Sequence, residues 1–428
     1  MIRKHKYFSI PQDRKFLPRL IHWLYTHDHF SFFNGNNYKV KYDPFNTFSA
    51  AGALKNCIPV GDDPFSEFKR FYESEKDWMV GRLNYDLKNN IENLSSRNID
   101  RLRSDEMTFF IPETLIFFQQ EGIEIVSTQE PDDIYDEIVN TDIPSEKKQN
   151  FNIVCDTSKS EYIDAVNNIK KQIVAGDFYE LNYCMEFFSK IDKPNLATIY
   201  LLLNEISPMP FSVFQGINGQ YILSASPERF LKKTQDTLIA QPIKGTIRRD
   251  DNAGIDDQLK HQLRNSEKEI AENMMIVDLM RNDLGRSALA GSVKVPEMFE
   301  IYSYNLVHQM ISTITAKLKE EVHFIDAIKN AFPMGSMTGA PKIKVMETID
   351  HYEKSKRGMF SSAAGYITPD GNFDFNVQIR SIFYSDITGC LKFNAGSAIT
   401  YDADPEYEYK ECLLKARSMM QALNLSHF

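Results

Sequence analysis

Between Ser160 and Gly176 apolar residues recur at Ile163, Val166, Ile169 and Ile173. Steps of three and four predict an amphipathic helix, with Ser158 or Ser160 as its cap and Gly176 as its stop. From Phe211 the period shortens: FSVFQG, YILSAS, RFLKK and TLIAQP are brief runs split by turn residues, Asn218-Gly219 among them. They predict a β-meander. Helical spacing returns from Glu267 to Asp283 and again after Pro341. Strands resume from Ser361 to Tyr401, with turns at Pro369-Asp370-Gly371 and Thr388-Gly389, and a helix follows from about Asp404 to Leu423. Strand runs alternating with helix runs, without strict βαβ units, predict an α+β fold with large, mostly antiparallel sheets.

The acidic stretch from Ser127 to Asn150 lacks sustained periodicity and reads as a linker or exposed crossing. It sets a soft boundary between residues 1–150, where no clean motif stands out, and residues 151–428. With 428 residues, 42% hydrophobic and 25% charged, the chain can bury a large core as one large or two fused domains. A net charge of −10 argues against a general nucleic-acid binder, which needs a basic face. Cys57, Cys155, Cys184, Cys390 and Cys412 lie far apart and are odd in number, so they suggest neither a disulfide framework nor a zinc site. No run of about 18 apolar residues and no secretory leader is present, which predicts a cytoplasmic protein without a membrane span.

Candidate chemistry concentrates in a few places. The run QPIKGT sets Lys244 in a tight Pro and Gly frame, and a lysine desolvated among apolar groups has its pKa pushed down toward nucleophilic use. Glu228 stands sixteen residues earlier, across one strand-turn-strand excursion. It is either a carboxyl group kept protonated as a general acid or a turn glutamate paired with Arg229. Glu269 with Glu272, and Glu408 with Glu411, are carboxylate pairs three apart on predicted helices, and Lys415 follows Glu411 by four. Two such pairs suit Mg²⁺, although the spacing is also common on solvated faces. The glycine-rich run Gly335 to Lys342, Arg380 and Gly396 offer backbone donors, a planar cation and a closely approachable backbone to an anion. His308 is flanked by apolar residues, and a satisfied core histidine is its default reading.

Taken together, PIKGT, SPERF, AENMMIVDLMRNDLGR, GSMTGAPK, RGMFSSAAGY, VQIRS and the NAG plus E-x-x-E ending resemble chorismate-utilising enzymes, specifically the component I family of aminodeoxychorismate synthases. The resemblance spans roughly Phe151 to Leu423 and is fainter before that. It implies a β-sandwich with surrounding helices, as in anthranilate synthase component I, and conversion of chorismate and ammonia to 4-amino-4-deoxychorismate. Glu272 and Glu411 match the principal Mg²⁺ carboxylates, with Glu269 and Glu408 as second members. Thr338, Tyr366, Arg380, Gly396 and Lys415 match substrate-holding positions, and His308 matches a histidine near the reacting ring. Glu228 matches the acid that assists departure of the ring hydroxyl. Lys244 matches the lysine that attacks C2 and separates this branch from relatives with a small residue there.

None of the cysteines sits in a Gly-x-Cys-x-Gly turn, so a separate glutamine amidotransferase subunit is implied as the ammonia source, and another enzyme would release p-aminobenzoate for folate synthesis. Three departures from the family pattern stand out. Glu180 occupies a position where relatives carry glutamine or, in the water-adding branch, a base lysine. Ser397-Ala398 and Met334 replace glycines. Two alternatives stay open: an anthranilate synthase component I, and a non-catalytic chorismate-binding subunit of an amidotransferase complex.

Overall fold

Asn218 and Gly219 both adopt positive φ, 52° and 71°, which is what a tight two-residue hairpin turn requires, and they join the strands Phe211–Ile217 and Gln220–Ser226. That hairpin is the middle of a large antiparallel array. The computed structural model describes residues 2–10, 15–43, 45–144 and 149–425. Across one layer, Glu180–Lys190 pairs with Cys390–Ile399, followed by Ser381–Ser385, Gln220–Ser226, Phe211–Ile217, His29–Asn34, Phe48–Cys57 and Met107–Phe118. The long strand Met107–Phe118 also pairs through its first half with Met79–Leu83. From there a second layer runs through Ala363–Ile367, Phe373–Val377, Arg229–Thr234 and Thr237–Gln241 to Val307–Lys317. Strands from both sides of residue 150 thus share one ladder.

The two layers enclose a core in which Leu231, Ile314 and Phe375 meet Ile222, Phe383 and Cys390. Helices Phe16–Leu24, Lys159–Ala175, Leu196–Ile206 and Pro405–Ala422 cover the outer face of the first layer. The expected α+β sandwich with surrounding helices is present. Each fully buried Phe, Leu or Ile contributes roughly 1.5–3 kcal/mol by leaving water, so the strands are held mainly by these two cores.

Local signals set the helix ends. Ser158 and Glu161 form a reciprocal capping box on Lys159–Ala175. Ser266 caps Glu267–Gly285 and Asp404 caps Pro405–Ala422. In Glu267–Gly285 the buried Ile276, Val277, Met280 and Leu284 lie in the later turns, which leaves the first turns to carry charge.

The acidic stretch departs from its reading as a crossing. Residues Pro131–Asn140 form a helix that buries Ile134 and Ile138, four apart, while Asp132, Asp133 and Asp136 stay in water. Its apolar face, Ile134 and Ile138 with Tyr135 and Val139 beside them, is confined to six residues and is too short a pattern to register against so many acids. Residues 145–148 of that stretch lie outside the described residues. No helix among the described residues is long and apolar enough to cross a membrane, and all five cysteines are free thiols.

Candidate active site

Lys244 lies in the strand Ile243–Arg248, where the register against Val307–Lys317 shifts between Ile243 and Thr246. A bulge of this kind re-aims a side chain. Gly245 completes it at φ +87°, and any Cβ there would sit 3.0 Å from Glu269 Oε2. The lysine is therefore pressed toward the first turns of Glu267–Gly285. It is 8% exposed, and its ammonium forms an ion pair and hydrogen bond with Glu180 Oε1 on the strand Glu180–Lys190.

Burial alone would lower the Lys244 pKa, as the sequence suggested, but the structure reverses the sign. Glu180, Glu272 and Glu228 together outweigh desolvation and hold Lys244 above the ordinary lysine value. At rest it is an ammonium. Its site is an acidic pocket and not an apolar one, because three carboxylates from three other segments converge on it.

Glu228 is 4% exposed, between strands Gln220–Ser226 and Arg229–Thr234, in a narrow cleft lined by Pro242, Met280, Met334 and Ser336. Desolvation pushes its carboxyl up to about 7, although a hydrogen bond from Ser336 and the charge of Lys244 pull the other way. The alternative pairing with Arg229 does not form. Arg229 turns to Asp374, donating from Nε and Nη2 at 2.9 Å each. Glu228 is left as a buried, easily protonated acid beside Lys244.

The two carboxylate pairs meet around lysines. Lys268 Nζ lies 3.3 Å from Glu408 Oε1 and 3.8 Å from Glu272 Oε1, bridging the two helices. Lys415 Nζ lies 2.5 Å from Glu411 Oε1 and donates to Gly396 O at 3.1 Å. Arg380 Nη1 donates to Lys415 O at 3.1 Å, so it joins the same end of Pro405–Ala422. Burial and neighbouring Glu180 and Glu269 drive Glu272 up to about 7 against the pull of Lys244 and Lys268. Among the described residues no three of these acids close into a ready cage. Even so, the donors are all hard carboxylate oxygens, and Glu272 Oε1 is buried without any hydrogen-bond donor. That set fits Mg²⁺, which takes few protein carboxylates and keeps its waters.

Other residues singled out in the sequence are placed differently. Thr338 is fully buried, with its hydroxyl turned to Met334 O and Gly335 O at 3.3 Å each. Tyr366 packs with Phe33, Phe45, Phe48 and Trp78 in a separate aromatic core. His308 is held at both ring nitrogens, by Asp256 at 2.8 Å and Ser303 at 2.9 Å. Among the described residues no hydrogen bond or ion pair links Tyr366 or His308 to Lys244 or its carboxylates, although His308 stands opposite Ile247 on the Lys244 strand.

A family model for chorismate binding enzymes matches residues 26–421. The chain belongs to this family. Among curated chorismate binding relatives, the chloroplastic aminodeoxychorismate synthase of Arabidopsis thaliana is 40% identical over 282 residues, covering 65% of this chain and 30% of that protein. Aminodeoxychorismate synthase component 1 of Escherichia coli is 38% identical over 266 residues, covering 62% of this chain and 58% of that protein. The chain therefore spans between about a third and somewhat over half of these relatives. Anthranilate synthase component I from Streptococcus pneumoniae superposes with a TM-score of 0.75 at 23% identity, over 90% of this chain and 94% of that one, which establishes a shared fold.

Sequence reasoning gave no role to Lys268 or Ser336, which in this family member bridge the carboxylate helices and hydrogen-bond Glu228. Lys268 did leave a trace, since it precedes Glu272 by four. Ser336 left none, because its partner is 108 residues away (336 − 228). Glu180 stood out in the sequence as a departure that either tunes Lys244 or structures the wall, and its contact with Lys244 fits the first of these.

Proposed function

We propose that this chain is the chorismate-converting component I of an aminodeoxychorismate synthase, making 4-amino-4-deoxychorismate from chorismate and ammonia. The observation that carries the reading is the lysine of PIKGT, buried in contact with one carboxylate and electrostatically coupled to a second that is readily protonated. A poor hydroxyl leaving group needs a proton, and the ring needs a nucleophile; Glu228 and Lys244 supply one each. Lys244 must first shed a proton, and Glu180 Oε1 is the acceptor already hydrogen-bonded to it. The free amine attacks C2, both ring double bonds shift, C1=C2 to C1=C6 and C5=C6 to C4=C5, and the C4 hydroxyl leaves as water with the proton of Glu228. Ammonia then adds at C4, both double bonds shift back, the lysine departs from C2 as an amine, and the new C4 ammonium returns a proton to Glu228.

Arg380, Lys415 and the backbone of Gly396 form the cationic end that receives substrate carboxylates. Glu272 and Glu411, with Glu269 and Glu408 beside them, would hold Mg²⁺, which supplies positive charge at the ring carboxylate. A glutamine amidotransferase subunit supplies the ammonia, and a lyase completes p-aminobenzoate. The setting is cytoplasmic.

Incubating the protein with chorismate, Mg²⁺ and an ammonium salt, with and without an added aminodeoxychorismate lyase, tests the reading. Aminodeoxychorismate, converted to p-aminobenzoate by the lyase, is expected; anthranilate, or no consumption of chorismate, overturns it. Lys244→Ala is expected to abolish product while chorismate still binds. Intact-mass analysis of a quenched reaction should show a chorismate-derived mass on Lys244, and its absence during turnover removes the covalent step.

A further inference from the structure

Three arginines are fully buried among the described residues: Arg82, Arg229 and Arg357. Arg229 grips Asp374 through two nitrogens, and Arg357 grips Glu353 likewise. Arg82 has no such partner. Its one hydrogen bond runs from Nη2 to Gln220 Oε1 at 3.0 Å, a neutral amide oxygen, while Nε and Nη1 are buried with no acceptor. Asp105 acts on it through space without an ion pair. A guanidinium enclosed this way keeps its charge and loses its water, an arrangement that costs several kcal/mol unless an anion compensates.

The surroundings are buried polar side chains between the two sheet layers. Arg82 and Thr108 are direct partners across Met79–Leu83 and Met107–Phe118, so they share a face. The Thr108 hydroxyl is buried with no partner. From the opposite layer Gln215 reaches Gly81 O, and its Oε1 is likewise unpartnered. Burial lowers the His29 pKa, the charge of Arg82 acts in the same direction, and its Nε2 is buried without a hydrogen-bond partner. Three orphaned polar atoms on Thr108, Gln215 and His29 thus accompany the two orphaned nitrogens of one uncompensated cation, in a sandwich whose other buried arginines among the described residues are fully paired. None of these side chains belongs to the Lys244 pocket.

We propose that this cluster is a binding site for a small monovalent inorganic anion of the chloride class. The anion accepts from Arg82 Nε and Nη1 and from the Thr108 hydroxyl, and a water beside it donates to Gln215 Oε1. A water alone would satisfy hydrogen bonds but leave the charge of Arg82 unbalanced. The anion is a structural counter-charge, taking the place that Asp374 and Glu353 fill for the other two arginines.

Crystals of the full chain grown in sodium bromide test this directly, since bromide scatters anomalously and water does not. A bromide peak against the Arg82 guanidinium is expected; water-strength density without anomalous signal overturns the site. In solution, thermal melts at fixed ionic strength compare sodium chloride with sodium gluconate. The unfolding midpoint should rise by about 1–2 °C for each tenfold increase in chloride beyond its dissociation constant. Arg82→Met should remove that dependence while remaining at least as stable as the parent in gluconate, and Arg82→Lys should weaken it. A chloride response of equal size in Arg82→Met refutes the proposal.

Discussion

Two buried ionic clusters lie a short distance apart along the strand Glu180–Lys190, and they are built on opposite terms. In one, Arg357 donates to Glu353, Met337 O, Asn182 O and Ser361, while Glu353 also accepts from Cys184 N. Beside it Lys392 donates to Glu186, Lys356 O and Arg357 O, and Glu186 accepts from Arg101. Every charged group there has its partners. In the other, Lys244 hydrogen-bonds Glu180 alone, and Glu180 Oε2 and Glu272 Oε1 are buried without a hydrogen-bond partner, although Lys268 Nζ lies 3.8 Å from the latter. A satisfied network holds strands and helices in register; an unsatisfied one stores unmet electrostatic demand that a cation, a substrate carboxylate or a moving proton can meet.

The largest test of that difference is at Glu228. Glu228→Gln keeps the shape and removes the proton, and turnover should fall by roughly 10²–10⁴-fold with little change in KM. With the Glu228 carboxyl at about 7, the donor form is lost as pH rises, so the parent rate should drop about tenfold per unit above that value. That limb should vanish in Glu228→Gln, and its persistence assigns the titration to another group. The same shift acts on stability in the same direction. The folded chain holds this proton more tightly than the unfolded chain, whose carboxyl titrates near 4.5, so the contribution is full below about 4.5 and gone above about 7.

Arg357→Leu attacks the other cluster. It strands Glu353 in the core, and unfolding by urea should show a loss of about 3–5 kcal/mol. The double substitution Lys244→Met with Glu180→Gln removes both charges of the active pair. It should change stability by less than about 1 kcal/mol, or raise it, while abolishing product. Equal destabilisation by both changes would erase the distinction between a structural network and a functional one.

The sequence carried some of this contrast and lost the rest. Elements announced themselves where one short window held the signal: the three- and four-residue steps from Ile163 to Ile173, and the Asn218-Gly219 turn. The carboxylate pairs were legible for the same reason, since each sits within one helical turn. Lys244 was visible as a residue but not in its charge state, because that is decided by Glu180, Glu272 and Glu228 from three separate segments. The same holds for Arg229, whose choice of Asp374 over its neighbour Glu228 depends on strands 145 residues apart. Tyr366 and His308 were singled out by motif, which does not reveal their contacts here, the aromatic core of Phe33, Phe45 and Phe48 for the one and Asp256 for the other. The helix Pro131–Asn140 was missed because its apolar face is confined to six residues.

The smallest test concerns how the pocket is walled. Gly245 holds φ at +87°, and a methyl group there would meet Glu269 Oε2 and Leu263 Cδ1 at 3.0 Å and Glu269 Cβ at 3.2 Å. Gly245→Ala therefore has two separable costs. The left-handed backbone should take about 1 kcal/mol from global stability wherever such a glycine sits. Displacement of Glu269 acts only on the carboxylate cluster, and should appear as a higher Mg²⁺ concentration for half-maximal rate at unchanged Lys244 reactivity. If stability falls while the Mg²⁺ requirement stays fixed, Glu269 is not held in place for a metal, and the bulge serves only to aim Lys244 at Glu180.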